Sequence, residues 1–308
     1  MKVLIVARYT NKRYVPFVIE QVAALEKQGV ECRFFPVRNA KGYLQELPEL
    51  RKVIKEFKPD VVHAHYGLCG LFANLQRMVP VVTTYHGSDI NEPPVLKLSK
   101  IAMRRSAFNI FVSQAMIDIA KPKKNFALIP CGISLEDYPI VERMEARKRM
   151  GLNPEGKYVL FAGAYDKAVK NVPLAKSAIA LLPGVELLEL KGYTREQVSL
   201  MMQAVDAFIL TSHTEGSPQV IKEALACGTP IVSVDVGDVK ERTDGVEGCF
   251  VAKTREPSEL ASLLESAFAF KGRTAGRQRV IDCKLDNGHI TEEIINIYNK
   301  VSTSSGQK

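Results

Sequence analysis

Residues 207–235 read AFILTSHTEGSPQVIKEALACGTPIVSVD, and two kinds of pattern alternate in them. The apolar runs AFILTS and PIVSVD are short, rich in β-branched residues and continuously hydrophobic, as strands buried on both faces are. Between them lies a helical segment that Pro218 begins and Gly228 ends. The stretch therefore predicts a strand–helix–strand unit with parallel strands.

The same alternation runs through all 308 residues. The predicted strands are 2–8, 31–37, 60–66, 79–87, 108–113 and 126–132 in the first half, then 157–163, 185–192, 207–212, 230–235 and 248–253 in the second. Amphipathic segments separate these runs. Two such series predict an α/β protein with two Rossmann-like doubly wound domains, residues 1–140 and 141–288. Residues 289–308 hold a last amphipathic helix, whose apolar face needs a partner, and a polar tail.

The composition is that of a soluble globular protein, with 46% hydrophobic and 25% charged residues. The sequence has no apolar run near the roughly 18 residues that span a bilayer. The N-terminal run MKVLIVAR is too short for a signal peptide, so we interpret it as a buried strand of a cytoplasmic protein. The six cysteines are scattered without metal-ligand spacing, and we expect reduced thiols and no metal site.

The positive charge is concentrated in the first half of the chain. Residues 1–150 carry 24 basic and 14 acidic residues, a net of +10, whereas the remainder has a net of −2. Such a surface attracts polyanions, which include anionic lipids and phosphate-bearing substrates. Nucleic acid is not expected, because basic motifs interleaved with aromatic residues are missing.

One basic segment, PPVLKLSKIAMRRSAF, combines charge with helical spacing. Its basic residues Lys97, Lys100 and Arg104 lie beside Leu98, Ile101 and Ala102. Two interpretations stay open. Either the apolar stripe faces the domain core and the basic stripe faces water, or this surface attaches the protein to the inner face of the cell membrane.

The helix of the opening stretch has polar groups at its start and along it that suit a phosphorylated ligand. Ser217 is the predicted N-cap, and the amides at a helix mouth form an anion site. Glu215 could accept hydrogen bonds from sugar hydroxyls beyond the phosphates, and Glu223, at the edge of the apolar helix face, from a ribose. The alternative is an ordinary helix with one acid before its first turn and one exposed acid.

Together with other motifs, this stretch resembles the E-x7-E motif of glycosyltransferase family 4, retaining enzymes with the two-domain GT-B fold. The resemblance includes the Glu-Gly-x-Pro start, the EALA helix and the following G-T-P-I-V, and it continues in DVVHAHYG (60–67), TTYHGSD (83–89), IPCGIS (129–134) and DVGDVKE (235–241). It implies a glycosyltransferase that moves a hexosyl or other sugar group. It also implies an inter-domain cleft and a C-terminal helix that crosses back to the N-terminal domain. Because no Asp-x-Asp occurs in the sequence, we expect this enzyme to be metal-independent.

The resemblance suggests roles for individual residues, which fall into three groups. The catalytic candidates are Glu215 and His86; the donor-binding candidates are Lys170, Lys167, Gly216, Ser217, Pro218, Gln219, Glu223 and Gly192; and the acceptor-side candidates are Asp89, Arg13 and His65. We assign His63 and His65, both in the third strand, to opposite faces of the sheet, and expect both to be mainly structural.

The sequence departs from the family pattern at two places. Ala164 stands where the family has an arginine that neutralises the diphosphate, and either Lys167 or Arg13 could replace it. The glycine-rich loop after the first strand is replaced by Thr-Asn-Lys-Arg-Tyr, residues 10–14.

We therefore expect transfer from a UDP-sugar or GDP-sugar, without a cofactor, to a glycan or lipid-linked acceptor in cell-surface polysaccharide or lipopolysaccharide biosynthesis. Two alternatives remain: a catalytically inactive nucleotide-sugar-binding or scaffold subunit, and a sugar-nucleotide epimerase on the same fold. A dehydrogenase is disfavoured, because no G-x-G-x-x-G follows a predicted strand.

Overall fold

The computed structural model of the protein describes residues 1–38 and 43–303. The chain divides into two compact units. The first unit holds residues 1–132 and the chain from Asn287 onward, and the second holds Ile133–Asp286. The crossings thus lie at 132 and 286, where the sequence suggested 140 and 288.

The first unit is built on a parallel sheet of six strands. In chain order β1 to β6 are Lys2–Arg8, Glu31–Val37, Val61–His65, Val81–Tyr85, Phe108–Phe111 and Phe126–Leu128. The strand order across the sheet is β2-β1-β3-β4-β5-β6. Strands β3, β4 and β5 are buried along their whole length, which explains their continuously apolar sequences.

Helices connect these strands. In chain order α1 to α6 are Pro16–Lys27, Tyr43–Phe57, Gly67–Ala73, Ser88–Asn91, Pro93–Arg105 and Gln114–Ala120. Helix α1 begins at a proline, whose fixed φ suits the first helical position, and it buries Val18, Val22 and Leu25 at helical spacing.

The second unit repeats the plan with five parallel strands. Strands β7 to β11 are Lys157–Phe161, Val185–Glu189, Ala207–Leu210, Ile231–Val234 and Cys249–Ala252, in the order β11-β10-β9-β7-β8. Helices α7 to α13 are Arg143–Met150, Val172–Ile179, Arg195–Ala204, Gln219–Ala226, Val239–Thr243, Pro257–Ala269 and Gly276–Asp282. All eleven predicted strands are present, and the predicted α/β class with two doubly wound parallel sheets is confirmed.

Helix α14, Asn287–Thr303, belongs to the first unit although it comes last in the chain. Its apolar residues Ile290, Ile294, Ile297, Tyr298 and Val301 share one core cluster with residues of β1 and α1. The predicted polar tail beyond Thr303 lies outside the described residues. None of the helices in residues 1–38 and 43–303 has the length and hydrophobicity needed to cross a bilayer.

Tyr298 joins α14 to the centre of the first sheet. Its side chain is fully buried, and its hydroxyl lies 2.5 Å from Nδ1 of His63 on β3. The other nitrogen of His63, Nε2, lies 2.7 Å from Oγ1 of Thr84 on β4. A buried polar ring with both nitrogens hydrogen-bonded avoids the desolvation penalty that an unpaired group carries.

We predict that Tyr298→Phe destabilises the first unit by about 1–3 kcal/mol, because Nδ1 of His63 then stays buried without its partner. Hydrogen exchange of the β3 amides reports this local free energy. Tyr193→Phe is the matched control, since Tyr193 is exposed. Equal protection of β3 in both variants would show that the hydroxyl does not contribute.

Candidate functional site

The strand order of the second unit defines where a ligand can bind. From β7 the chain passes to β8 on one side, and it then returns to β9 on the other side of β7. Connections that leave neighbouring strands in opposite directions open a crevice at the carboxyl ends of the strands. The loops after β7 and β9 flank this crevice, and they contain Gly163, Lys170 and Glu215.

Lys170 and Glu215 form an ion pair between these two loops. Nζ of Lys170 lies 2.7 Å from Oε1 of Glu215, and their side chains are 22% and 17% exposed. The aliphatic part of Lys170 lies over Gly163, where a Cβ would be 3.4 Å from it. The structure therefore brings together a catalytic and a donor-binding candidate that lie 45 residues apart in sequence.

Backbone contacts fix the two loops to each other. The amide of His213 donates to the carbonyl of Val169 at 2.8 Å. Oγ1 of Thr211, a buried residue, donates to the carbonyl of Lys170 at 3.0 Å. The ion pair is consequently held on a rigid frame rather than on two independent loops.

The mouth of α10 lies directly after Glu215 in the chain, but it starts one residue later than expected. Pro218 is the N-cap, and the helix begins at Gln219. The predicted capping role of Ser217 was wrong, because its hydroxyl donates to Oδ2 of Asp238 at 2.7 Å instead. Proline has no N–H, so Pro218 shapes the turn without offering a donor, unlike Gly216, Ser217 and Gln219.

The loop after β10 packs against the residues that precede α10. Gly237 has φ 61°, and a Cβ there would lie 2.8 Å from the carbonyl oxygen of Gly216. Asp238, which accepts from Ser217, also accepts from Nε of Arg242 at 2.8 Å. The close approach explains why a glycine stands at 237.

Glu223 lies within α10 with its side chain 13% exposed. Burial raises the pKa of its carboxyl group, while the charge of Arg195 and a hydrogen bond from Tyr138 oppose the rise. Nη1 of Arg195 lies 3.8 Å from Oε1 of Glu223 and also donates to the Tyr138 hydroxyl. These two partners were not predicted from the sequence, because they lie on segments distant from α10 in the chain.

Two donor-binding candidates lie on exposed loops. Lys167 is exposed at the start of the short 3-10 turn that ends at Lys170. Gly192 is exposed after β8 with φ 81°, and a Cβ there would meet no atom within 4 Å. The glycine is thus required by backbone conformation rather than by close packing.

In the first unit, Asp89 joins the loops after β3 and β4 by hydrogen bonds. Its Oδ2 accepts from the amide of Gly67 at 3.0 Å, and its Oδ1 accepts from the amides of His86 and Gly87. Burial raises the pKa of Asp89 to about 6, although these hydrogen bonds oppose the rise. Both of its oxygens are therefore engaged by backbone groups of its own unit.

Three histidines form a stacked row beside these loops. The ring centroids of His63 and His65 are 4.5 Å apart, and those of His65 and His86 are 5.3 Å apart. The expectation that His63 and His65 face opposite sides of the sheet was wrong. Successive residues of a strand alternate, so residues two apart point to the same face.

His86 contacts aromatic rings and polar atoms of its own unit. The rings of Phe17 and Tyr66 lie 4.6 and 4.8 Å from its ring centroid. Its Nε2 lies 3.1 Å from Nδ1 of His65, and its Nδ1 lies 3.7 Å from Sγ of Cys131. Among the described residues, no group of three or more histidine, cysteine or acidic side chains is placed to hold a metal ion.

A pocket of about 640 Å³ opens next to this row within the first unit. Its lining combines two exposed cations, Arg8 and Arg13, and one exposed acid, Glu92, with the aromatic rings of Tyr14 and Tyr66. Asp89 also lines the pocket, although its carboxylate oxygens bind backbone amides. Aromatic rings with cations beside them can bind a sugar that carries a negative charge.

Two family models match the chain. Residues 6–137 match the model described as Glycosyltransferase Family 4, and residues 159–269 match the model described as Glycosyl transferases group 1. The two matches together cover most of both parallel sheets.

Two curated relatives have the same sequence identity to this chain. A Bacillus subtilis protein named as a candidate glycosyltransferase of teichuronic acid biosynthesis is 28% identical over 215 residues, which cover 60% of this chain and 55% of the relative. The D-inositol 3-phosphate glycosyltransferase of Mycobacterium marinum is 28% identical over 245 residues, which cover 63% and 52%. The chain thus spans a little over half the length of these curated relatives.

A solved structure extends the similarity to nearly the whole chain. Anabaena HepE in complex with UDP has a TM-score of 0.78 at 17% identity, and the match covers 97% of this chain and 100% of that one. A structure of the same protein in complex with UDP-glucose matches with a TM-score of 0.75. Such a match shows the fold, which is the GT-B fold of two parallel α/β domains. With the family models on both units, the chain belongs to glycosyltransferase family 4.

Proposed function

We propose that the protein transfers a sugar from a nucleoside-diphosphate sugar, a UDP-sugar or GDP-sugar, to a glycan or lipid-linked acceptor. The observation that carries this proposal is the Lys170–Glu215 ion pair at the crevice of the second sheet, next to the mouth of α10. An ammonium group that already binds a carboxylate at 2.7 Å is placed to bind a phosphate oxygen.

The donor would be held along α10. The diphosphate takes the helix mouth and Lys170, where backbone amides and the positive end of the helix dipole favour an anion. Glu223, oriented by Tyr138 and Arg195, accepts hydrogen bonds from the ribose. When a phosphate oxygen binds Lys170, the Glu215 carboxylate is released to accept hydrogen bonds from the sugar. The complexes of HepE with UDP and UDP-glucose support a uridine donor.

The reaction would proceed with retention and without a metal ion. Lys170 and the helix dipole neutralise the departing diphosphate. The acceptor hydroxyl attacks the anomeric carbon from the side that the diphosphate leaves, and a departing phosphate oxygen takes its proton. The anomeric configuration is therefore kept without a covalent sugar intermediate.

The alanine at 164 leaves the diphosphate one cation short of the family pattern. Lys167 is the nearer replacement in sequence, because it belongs to the same segment and its exposed side chain can reorient. Arg13 lines the pocket of the first unit. The shortage favours a second candidate function, a subunit that binds a nucleotide sugar without turnover. An epimerase would use the same donor site.

The acceptor would bind in the pocket of the first unit. Tyr14 and Tyr66 offer faces for a sugar ring, and Arg8 and Arg13 offer charge for a phosphate or carboxylate. An acidic or phosphorylated acceptor is what polysaccharide or lipopolysaccharide assembly on lipid carriers would supply. The name of one relative, a candidate glycosyltransferase of teichuronic acid biosynthesis, supports an acidic glycan.

The surface of α5 supports work at the cytoplasmic face of the membrane. Ser99 and Ala102 are the buried residues of this helix, and Leu96 and Met103 also pack on the core. Leu98 and Ile101, in contrast, are 42% and 37% exposed. An apolar stripe turned wholly to the core, the simpler of the two interpretations from sequence, therefore does not describe this helix. Exposed leucine and isoleucine beside lysine and arginine match the interfacial helices that bind anionic lipid.

We predict that Glu215→Ala lowers sugar release from the donor by about 100-fold or more, because the transition state loses a polar contact to the sugar. Hydrolysis of a panel of UDP- and GDP-sugars measures this without knowledge of the acceptor. Lys170→Ala should instead reduce the thermal stabilisation that the nucleotide diphosphate provides. Glu265→Ala is the control, since Glu265 is exposed on α12.

The same assay separates the alternatives. Retention of the anomeric configuration in the released sugar supports transfer by the proposed route. Stabilisation by a nucleotide sugar with no release in the wild type indicates the binding subunit. Conversion of one UDP-sugar into another indicates the epimerase. Unchanged hydrolysis in Glu215→Ala would contradict the proposed site.

We predict that changing Lys97, Lys100, Arg104 and Arg105 together to Glu abolishes binding to anionic vesicles. Each basic residue near such a surface contributes about 1 kcal/mol, so reversal of four removes most of the attraction. Co-sedimentation with vesicles of anionic phospholipid measures it, and wild-type binding should fall with added salt.

A second quadruple variant controls for net charge. Arg51, Lys52, Lys55 and Lys58 are exposed on or just after α2, and their change to Glu alters the total charge equally on another surface. Loss of binding only in the α5 variant supports the proposed attachment. Equal loss in both variants, or none in either, refutes a specific role of α5.

A further inference from the structure

His65 has one ring nitrogen engaged and the other unpaired. Its Nδ1 lies 3.1 Å from Nε2 of His86. Its Nε2 is buried, and no hydrogen-bond partner for it lies among the described residues. Among the described residues, the ring of His65 therefore has one hydrogen-bond partner, which is His86.

The ring of His65 is held in place by a fixed support. His63 stacks on it at 4.5 Å, and His63 itself is bound at both nitrogens by Tyr298 and Thr84. Burial lowers the pKa of His63 well below its ordinary value and lowers the pKa of His65 to about 3. His65 is therefore neutral at physiological pH, with a single ring proton to place.

The unpaired nitrogen decides where that proton lies. If Nε2 of His65 carried the proton, a buried N–H donor would have no acceptor. If Nδ1 carries it, the unpaired atom is an acceptor nitrogen, and unpaired buried acceptors are the less rare case in folded proteins. Nδ1 of His65 thus donates to Nε2 of His86.

We propose that His65 is a positioning residue that holds His86 in the neutral tautomer with its proton on Nδ1. The hydrogen bond that one imidazole nitrogen accepts fixes the proton on the other. The Nδ1 atom of His86, which lies 3.7 Å from Sγ of Cys131, then carries the proton and donates to that sulfur. The rings of Phe17 and Tyr66 pack against the ring of His86.

The proposal gives His86 a defined chemical role, and this part rests on the proposed function. A ring fixed with its proton on Nδ1 can exchange its weak hydrogen bond to Cys131 for one to a sugar hydroxyl or to a developing negative charge. It cannot accept a proton at that edge while Nε2 is bound by His65. His86 would therefore stabilise charge rather than act as a general base.

Nitrogen-15 spectra of the histidine rings test the tautomer without any substrate. The chain has five histidines, and single substitutions assign their signals. In the wild type, His86 should show a protonated Nδ1 and an unprotonated Nε2. His65→Phe keeps the ring stack but removes the donor, and it should shift His86 toward the Nε2-protonated form. His65→Asn keeps an amide near the Nδ1 position and should retain the wild-type pattern.

The activity of the same variants tests the consequence. The hydrogen-bond partners of metal-bound histidines account for about 10- to 100-fold in activity, and we expect an effect of this order for the partner of His86. His65→Phe should lower kcat for donor hydrolysis within this range with little change in KM, and His65→Asn should restore most of it. Unchanged His63 signals in both variants show that the first unit is folded.

The outcomes separate the two proposals. An Nε2-protonated His86 in the wild type, or no change in His65→Phe, overturns the positioning role even if sugar transfer is found. The expected spectra in a protein that transfers no sugar leave the positioning role standing and refute the proposed function instead.

Discussion

The parallel pairing of neighbouring strands is the constraint on which the rest of the structure depends. It turns every strand of a sheet the same way, so that the loops after the strands gather at one edge. The Lys170–Glu215 pair exists because β7 and β9 are neighbours in the second sheet. The histidine row exists because β3 and β4 are neighbours in the first. In both units a polar cluster has been assembled from segments that are far apart in sequence.

Three carboxylates of this protein differ in the groups that bind them. Asp89 is buried and bound by backbone amides, which makes it part of the loop structure. Glu223 is bound by a tyrosine and an arginine that orient it. Glu215 is bound by the ammonium group of Lys170. In the donor complex that we propose, a phosphate oxygen would bind Lys170, and sugar hydroxyls would replace the ammonium group as hydrogen-bond donors to Glu215.

The sequence predicted the strands and the α/β class because continuous apolar runs of this length, bounded by turn residues, are typical of strands buried in parallel sheets. It also offered Glu215, Glu223 and Lys170 as site candidates, because they lie in local motifs, and their roles stay predictions. It did not predict Tyr138 or Arg195, because their contacts with α10 join segments that are distant in the chain and leave no local pattern. The start of α10 was misplaced by one residue, since Ser217 binds Asp238, a partner from the next loop. The error over His63 and His65 was different in kind, because the period of two already puts both on one face.

Helix α14 has a consequence for the order in which the chain acquires its structure. Residues 1–132 leave the ribosome first, yet the core of their unit contains Ile290, Ile294 and Tyr298 from the end of the chain. Domains made first generally fold first during synthesis. Here the domain begun first is completed last, after all of residues 133–286 have been made. Until then the apolar residues of β1 and α1 that pack on α14 lack that part of their core.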